Sequence, residues 1–203
     1  MTTLSEHADE CSHSQELARL HRAGSEFERR LTDVTPDQLS QPSPCEQWTV
    51  GDLISHVVGE SIMSVRLLHG ADAEEAAYGL DGDILGGDAP AAFAMAASAE
   101  YAAFKESGAM ERTVHHSATD MPGAQLLGFR IGGLTLHAWD LARGCGGDEA
   151  LNPELVEAVW ARLSPMTPFI AQTGVFGTGP SGKVSQDASM EARLLDLTGR
   201  RPG

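Results

Sequence analysis

Basic residues are scarce in this chain. Lys and Arg together number 14 against 29 Asp and Glu in 203 residues, a formal net charge of −15 at pH 7. The few cations are scattered, whereas phosphate recognition needs them clustered, so nucleic acid is excluded as a partner. Long apolar runs are missing as well. None reaches the roughly 18 residues that read as a bilayer span, and no membrane partner is expected. Residues 1–14 hold Glu6, His7, Glu10 and His13 without a basic start leading into an apolar block, so they do not read as a secretory signal. Cysteine is limited to Cys11, Cys45 and Cys145, an odd and widely spaced set lacking any Cys-x-x-Cys pair. A disulfide framework and a cysteine-only zinc site are therefore not expected, and reduced thiols in a cytoplasm fit better. Aromatic residues make up only 5% of the chain, which disfavours a sheet sandwich built from β-branched and aromatic side chains.

What is present is an ordinary globular balance, 41% apolar and 21% charged, with abundant Ala and Gly. Close-packed helices in one domain are expected, with residues 14–202 as the domain and 1–13 as a flexible N-terminus. Leu17, Leu20, Ala23, Phe27 and Leu31 recur every three or four residues and predict an amphipathic helix over 14–31. Residues 35–48, with Pro36, Pro42 and Pro44, read as a rigid extended connection. Thr49 is placed to cap a second helix from Val50 to about Leu68, with Asp52 in its first turn where the helix dipole favours a negative charge. The acidic, glycine-rich stretch 71–88 reads as an exposed connection. Pro90 fits a first helical position, and 91–105 is a strong helix former. Thr113 to His116 reads as a short extended piece, after which Met121-Pro122-Gly123 opens a fourth helix running to about Arg143. Asn152-Pro153 starts a fifth helix to about Leu163, where Pro165 and Pro168 break it. Residues 176–185 read as a loop and 187–197 as a last short helix. Together these elements predict an all-α chain, an up-and-down four-helix bundle with short C-terminal helices.

Two histidines carry the chemistry. His56 lies inside the second predicted helix and His137 inside the fourth, each among apolar neighbours. A single histidine so placed is usually a hydrogen-bonded core residue. Two of them on helices that pack together are as readily a bundle metal site, because such sites are made from inward-pointing residues on facing helices. Glu60, four residues after His56, shares its helix face and is the candidate third ligand; otherwise it is a solvated carboxylate. Asp140, three residues after His137, is placed to orient that ring or to pair with Arg143. His115 and His116 are adjacent and point to opposite faces of an extended segment. His69 suits a helix end, and Cys45 reads mainly as a structural thiol near a helix start. No Gly-x-Ser-x-Gly setting and no Gly-Lys-Ser/Thr loop occurs, so serine hydrolysis and a phosphate loop are unsupported.

Three stretches, Pro42 to Val57, His137 to Arg143, and Asp187 to Arg200, resemble the metal-binding domain of mycothiol-dependent maleylpyruvate isomerases and their actinobacterial relatives. The resemblance runs from about residue 14 to 202 and implies the DinB-like four-helix bundle. It also implies a divalent metal, usually zinc, held by His56, by His137 and by an acid four positions before the latter. That position is Gly133 here, and Glu60 is expected to stand in for the lost acid. In the namesake enzymes the ion activates mycothiol, whose thiolate adds to an unsaturated acid and permits cis–trans rotation. For this chain the resemblance implies a metal- and mycothiol-dependent isomerase or S-transferase acting on a small electrophile or unsaturated acid. The alternative is a non-catalytic binding or accessory bundle with a degenerate metal site and a homodimer face. Only short helices are expected after Gly147.

Overall fold

Thr49 begins the helix that carries the first histidine. Its hydroxyl accepts from the Asp52 amide at 3.1 Å, and the Asp52 carboxylate accepts from the Thr49 amide at 2.9 Å, a reciprocal box that satisfies two donors at the helix start. The helix that follows, Val50–Leu68, has the bounds its sequence predicts. The structure is a computed structural model describing residues 3–173, 176 and 179–201. It divides into two compact units, Met1–Asp148 and Glu149–Gly203. The sequence predicts one domain over 14–202.

In the first unit, α1 (Thr3–Thr32) extends the helix expected over 14–31 back through most of the segment read as a flexible N-terminus. α2 is Val50–Leu68, α3 is Ala73–Ala77, α4 is Ala89–Phe104 and α5 is Gly123–Cys145. α1 packs on α4 and α5, and α2 packs on the same two, so four long helices form a ring around one core. Each contributes a stripe at helical spacing: Leu20, Ala23, Phe27 and Leu31 from α1, Leu53, Ile54 and Val57 from α2, Phe93 and Phe104 from α4, Ile131 and Leu134 from α5, all buried. Phe27 and Phe93 meet with ring centroids 4.9 Å apart. This is the all-α, DinB-like helical bundle that the sequence predicts.

Two local features differ from expectation. The connection 71–88 holds α3, because Asp72 accepts from the Glu74 and Glu75 amides and caps a short helix in what reads as acidic linker. The extended piece at Thr113–His115 (β1) pairs antiparallel with Asp120–Pro122 (β2). Gly123 then starts α5 so close to the preceding chain that a Cβ would lie 2.0 Å from the Ala109 carbonyl oxygen, which makes glycine necessary there. At its far end α5 stops at Gly146, whose φ of 70° is the left-handed conformation that glycine adopts freely.

In the second unit, Asn152 caps α6 (Pro153–Leu163), a 3₁₀ turn spans Ser164–Met166, and helix resumes as α7 (Thr167–Thr173). Helix α8 (Met190–Leu197) is capped by Ser189 and packs on α6, with Arg193 stacked 4.5 Å from the Trp160 ring. The loop expected over 176–185 has no helix or strand where it is described; residues 177 and 178 lie outside the described residues. Among the described residues, no helix is long and apolar enough to cross a membrane.

Candidate metal centre

The site begins with a turn that leads into α2. Pro42 and Thr49 form an isolated antiparallel bridge, and the Ser43 amide donates to the Trp48 carbonyl at 2.9 Å. Between them the Trp48 amide donates to the Cys45 carbonyl at 3.1 Å, closing a tight reversal. Gln47, inside it, has a φ of 68°, the one positive value at a non-glycine among the described residues. A side chain in that left-handed region costs energy and is kept where surrounding structure demands it. The C-terminal turn of α5 approaches this loop closely. A Cβ on Gly144 would be 3.2 Å from Val50 and 3.6 Å from Pro44, so the small residue lets helix and loop meet.

The turn delivers Trp48 and Cys45 to the two histidines. His56 on α2 and His137 on α5 have ring centroids 5.1 Å apart at 83°, and Trp48 lies 4.7 Å from His56 and 6.4 Å from His137. Two imidazoles on one tetrahedral ion, with metal–nitrogen bonds of about 2.0–2.1 Å, set their ring centres about 5 Å apart. The pair therefore has the spacing of a shared ion, and the edge-to-face contact also holds the rings together without one. His137 Nδ1 lies 2.9 Å from Asp140 Oδ2, and Asp140 is only 1% exposed. With the Nδ1 proton donated to the carboxylate, Nε2 carries the ring's lone pair. The Cys45 thiol donates to the same Asp140 oxygen at 3.5 Å. Cys45, His137 and Asp140 thus present donor atoms all within 4.8 Å of one another, the one group of three or more such residues among those described.

Burial pushes the His56 imidazolium down to about 4, aided by the neighbouring charges of His137 and Arg130 and opposed by Glu60. His56 is neutral at pH 7 and offers a lone pair. It lines an open cleft of about 660 Å³ together with Trp48, Asp52, Glu60, Met63 and Leu80.

Glu60 shares that cleft, as its spacing from His56 predicts, but its carboxylate is engaged. Arg130, on α5, donates from Nη1 to Glu60 Oε2 at 3.1 Å, from Nε to Glu100 Oε1 at 2.6 Å, and from Nη2 to Ser61 Oγ at 3.1 Å. Burial works against this cation, and the Glu100 and Glu60 carboxylates outweigh it, holding its pKa above the ordinary value. Gly133, where the resemblance implies an acidic ligand, leaves room for a Cβ, which would meet only Arg130 Nη1 within 4 Å, at 3.7 Å. His69, His115 and His116 stand apart from this group. His69 ends α2 and meets Glu106 at 3.0 Å, His115 meets Asp120 at 2.9 Å, and His116 lies against Phe129. Sequence reasoning missed the Cys45–Asp140 contact and the Arg130–Glu100 pair. The available signal for the latter was one charge of each sign set alone on an apolar helix face.

The family model described as the mycothiol maleylpyruvate isomerase N-terminal domain matches residues 20–142, a span that takes in both histidines and the capped turn that precedes the first of them. The chain belongs to that family. Uncharacterized proteins from two strains of Mycobacterium tuberculosis are each 36% identical to it over 134 residues, 66% of this chain and 69% of theirs. Among solved structures, a mycothiol-dependent maleylpyruvate isomerase aligns with a TM-score of 0.60 at 20% identity, covering 74% of this chain and 69% of its own. A histidine-to-alanine variant of a mycothiol-dependent maleylpyruvate isomerase gives 0.63 at 20% identity, covering 83% and 73%. At that identity the likeness concerns the fold, and it agrees with the bundle described above.

Proposed function

We propose that this member of the family binds one divalent ion, zinc by preference, between His56 and His137, and acts with a low-molecular-weight thiol on a small electrophile or unsaturated acid. The observation that carries the reading is the 5.1 Å spacing of the two rings. Zinc bound by neutral imidazoles with an open position would stabilise a thiolate at neutral pH. Mycothiol is the thiol that the family's description names. The chain's own residues prepare the site. Asp140 fixes the His137 tautomer, burial keeps His56 deprotonated, and Trp48 covers one side of the ring pair. The cleft beside His56 has a volume suited to a small molecule. Glu60, the third ligand expected from sequence, lines that cleft, and its pairing with Arg130 competes with ligation. A cytoplasmic location, where thiols stay reduced, belongs to the same reading.

Thiol consumption measured across a panel of electrophiles, with metal-loaded and chelator-treated protein side by side, tests the activity. Metal-dependent turnover of at least one electrophile is expected, and none with loaded protein would sink the enzyme reading. Gly133 is the specific feature that favours a second reading, a non-catalytic binding bundle, alone or as a homodimer. In that case the purified protein carries no zinc and consumes no thiol.

A further inference from the structure

Gly133 leaves the two histidines one protein donor short of the usual three, and Glu60 is drawn toward Arg130. The group that does converge on this site is a thiol. We propose that the Cys45 thiolate is the third metal donor in this protein, joining His56 and His137 in a sulfur–nitrogen set selective for a thiophilic divalent ion, with Asp140 holding the thiol and the His137 ring in place. This assignment rests on the reading of the chain as a metal-binding protein and names the donor that the reading lacks.

Distance, chemistry and placement each support it. Bonds of about 2.3 Å to sulfur and about 2.0–2.2 Å to nitrogen and oxygen put neighbouring donors of a tetrahedral ion roughly 3.2–3.7 Å apart. Cys45 Sγ lies with a His137 ring nitrogen and an Asp140 oxygen inside 4.8 Å, close to that spacing, while the 3.5 Å and 2.9 Å contacts of Asp140 Oδ2 with Cys45 Sγ and His137 Nδ1 are hydrogen bonds that aim both groups at the site. Binding releases the thiol proton to solvent, and Asp140 Oδ2 gives up the hydrogen bond from sulfur while keeping the one from His137 Nδ1. A thiolate also carries the negative charge that a carboxylate at position 133 would have supplied. It differs in being soft, which favours zinc, cadmium and cobalt over magnesium or manganese. The backbone holds the sulfur in place: Ser43 Oγ accepts from the Cys45 amide at 3.2 Å, and the turn is closed by the Trp48 amide.

The test is cobalt substitution of the full chain in a buffer with no added thiol, followed by absorption spectroscopy and a chelator-competition titration. Wild type is expected to take up about one cobalt and show an intense thiolate-to-cobalt charge-transfer band in the near ultraviolet. Cys45→Ser, an almost isosteric change, should abolish the band and weaken binding at least tenfold. Cys45→Ala should do the same, while Cys11→Ser and Cys145→Ser keep both signals. Stoichiometric cobalt without the band, or a band that survives Cys45→Ser, overturns the Cys45 assignment and leaves the metal-protein reading standing. No cobalt uptake at all overturns both.

Discussion

Replacing Arg130 by Met tests the electrostatic frame behind the site. The Arg130 side chain is 3% exposed and donates to Glu100, Glu60, Ser61 and the Val57 carbonyl. Glu100 is itself 1% exposed, so the substitution leaves a carboxylate buried without its cation. Removing one partner of such a pair costs about 3–5 kcal/mol, while replacing both by apolar groups of similar volume is close to neutral. Glu60 adds little to that sum, because its side chain is 32% exposed and solvent screens it. Arg130→Met should therefore lose about 3–5 kcal/mol in urea unfolding, a large share of a typical domain's stability. Arg130→Met combined with Glu100→Leu should recover most of it. The same change removes a cation that depresses His56 and leaves Glu60, which raises it, so the His56 titration followed by NMR should move upward. A loss under about 1 kcal/mol, or strictly additive single and double variants, would refute the reasoning.

Three further outcomes are expected. His56 is depressed to about 4 in the fold from an ordinary 6.5, so below pH 6.5 the unfolded chain binds the proton first. Metal-free protein should lose stability progressively as pH falls from 6.5 to 4, by at most about 3 kcal/mol, and His56→Gln should flatten that part of the curve relative to wild type. An identical pH profile in the variant would contradict the assignment. Gly133→Glu adds a Cβ without a clash and should raise zinc affinity tenfold or more in chelator competition, with unchanged affinity counting against an ion near that position. Gln47→Gly relieves the left-handed φ of 68° and should raise the urea midpoint by an amount worth about 0.5–1 kcal/mol if the turn is otherwise kept; a lower midpoint would show that the Gln47 side chain is needed.

The bundle was legible because its signals are local. Phe27 and Leu31 mark a stripe at helical spacing, the Thr49–Asp52 box marks a helix start, and Asn152-Pro153 marks another. The two histidines were legible because a polar ring among apolar neighbours on two separate helices needs a shared reason. Asp140 was placed correctly beside His137 because three residues is one turn. The rest of the site depends on packing between distant segments. Cys45 meets Asp140 across 95 positions of sequence, through a turn whose direction depends on a strained Gln47. Glu60 illustrates the reverse case. Its spacing from His56 put it in the cleft, but the partner at its carboxylate is Arg130, 70 positions away, and helix periodicity carries no information about that.

Elemental analysis of protein purified without a histidine tag is the most direct test of the central claim, that His56 and His137 share one ion. About one divalent metal per chain, lost on changing either histidine to alanine while the helical signal is retained, is the predicted result. Metal-free wild type after growth and purification in zinc, or full occupancy surviving both substitutions together, would contradict it.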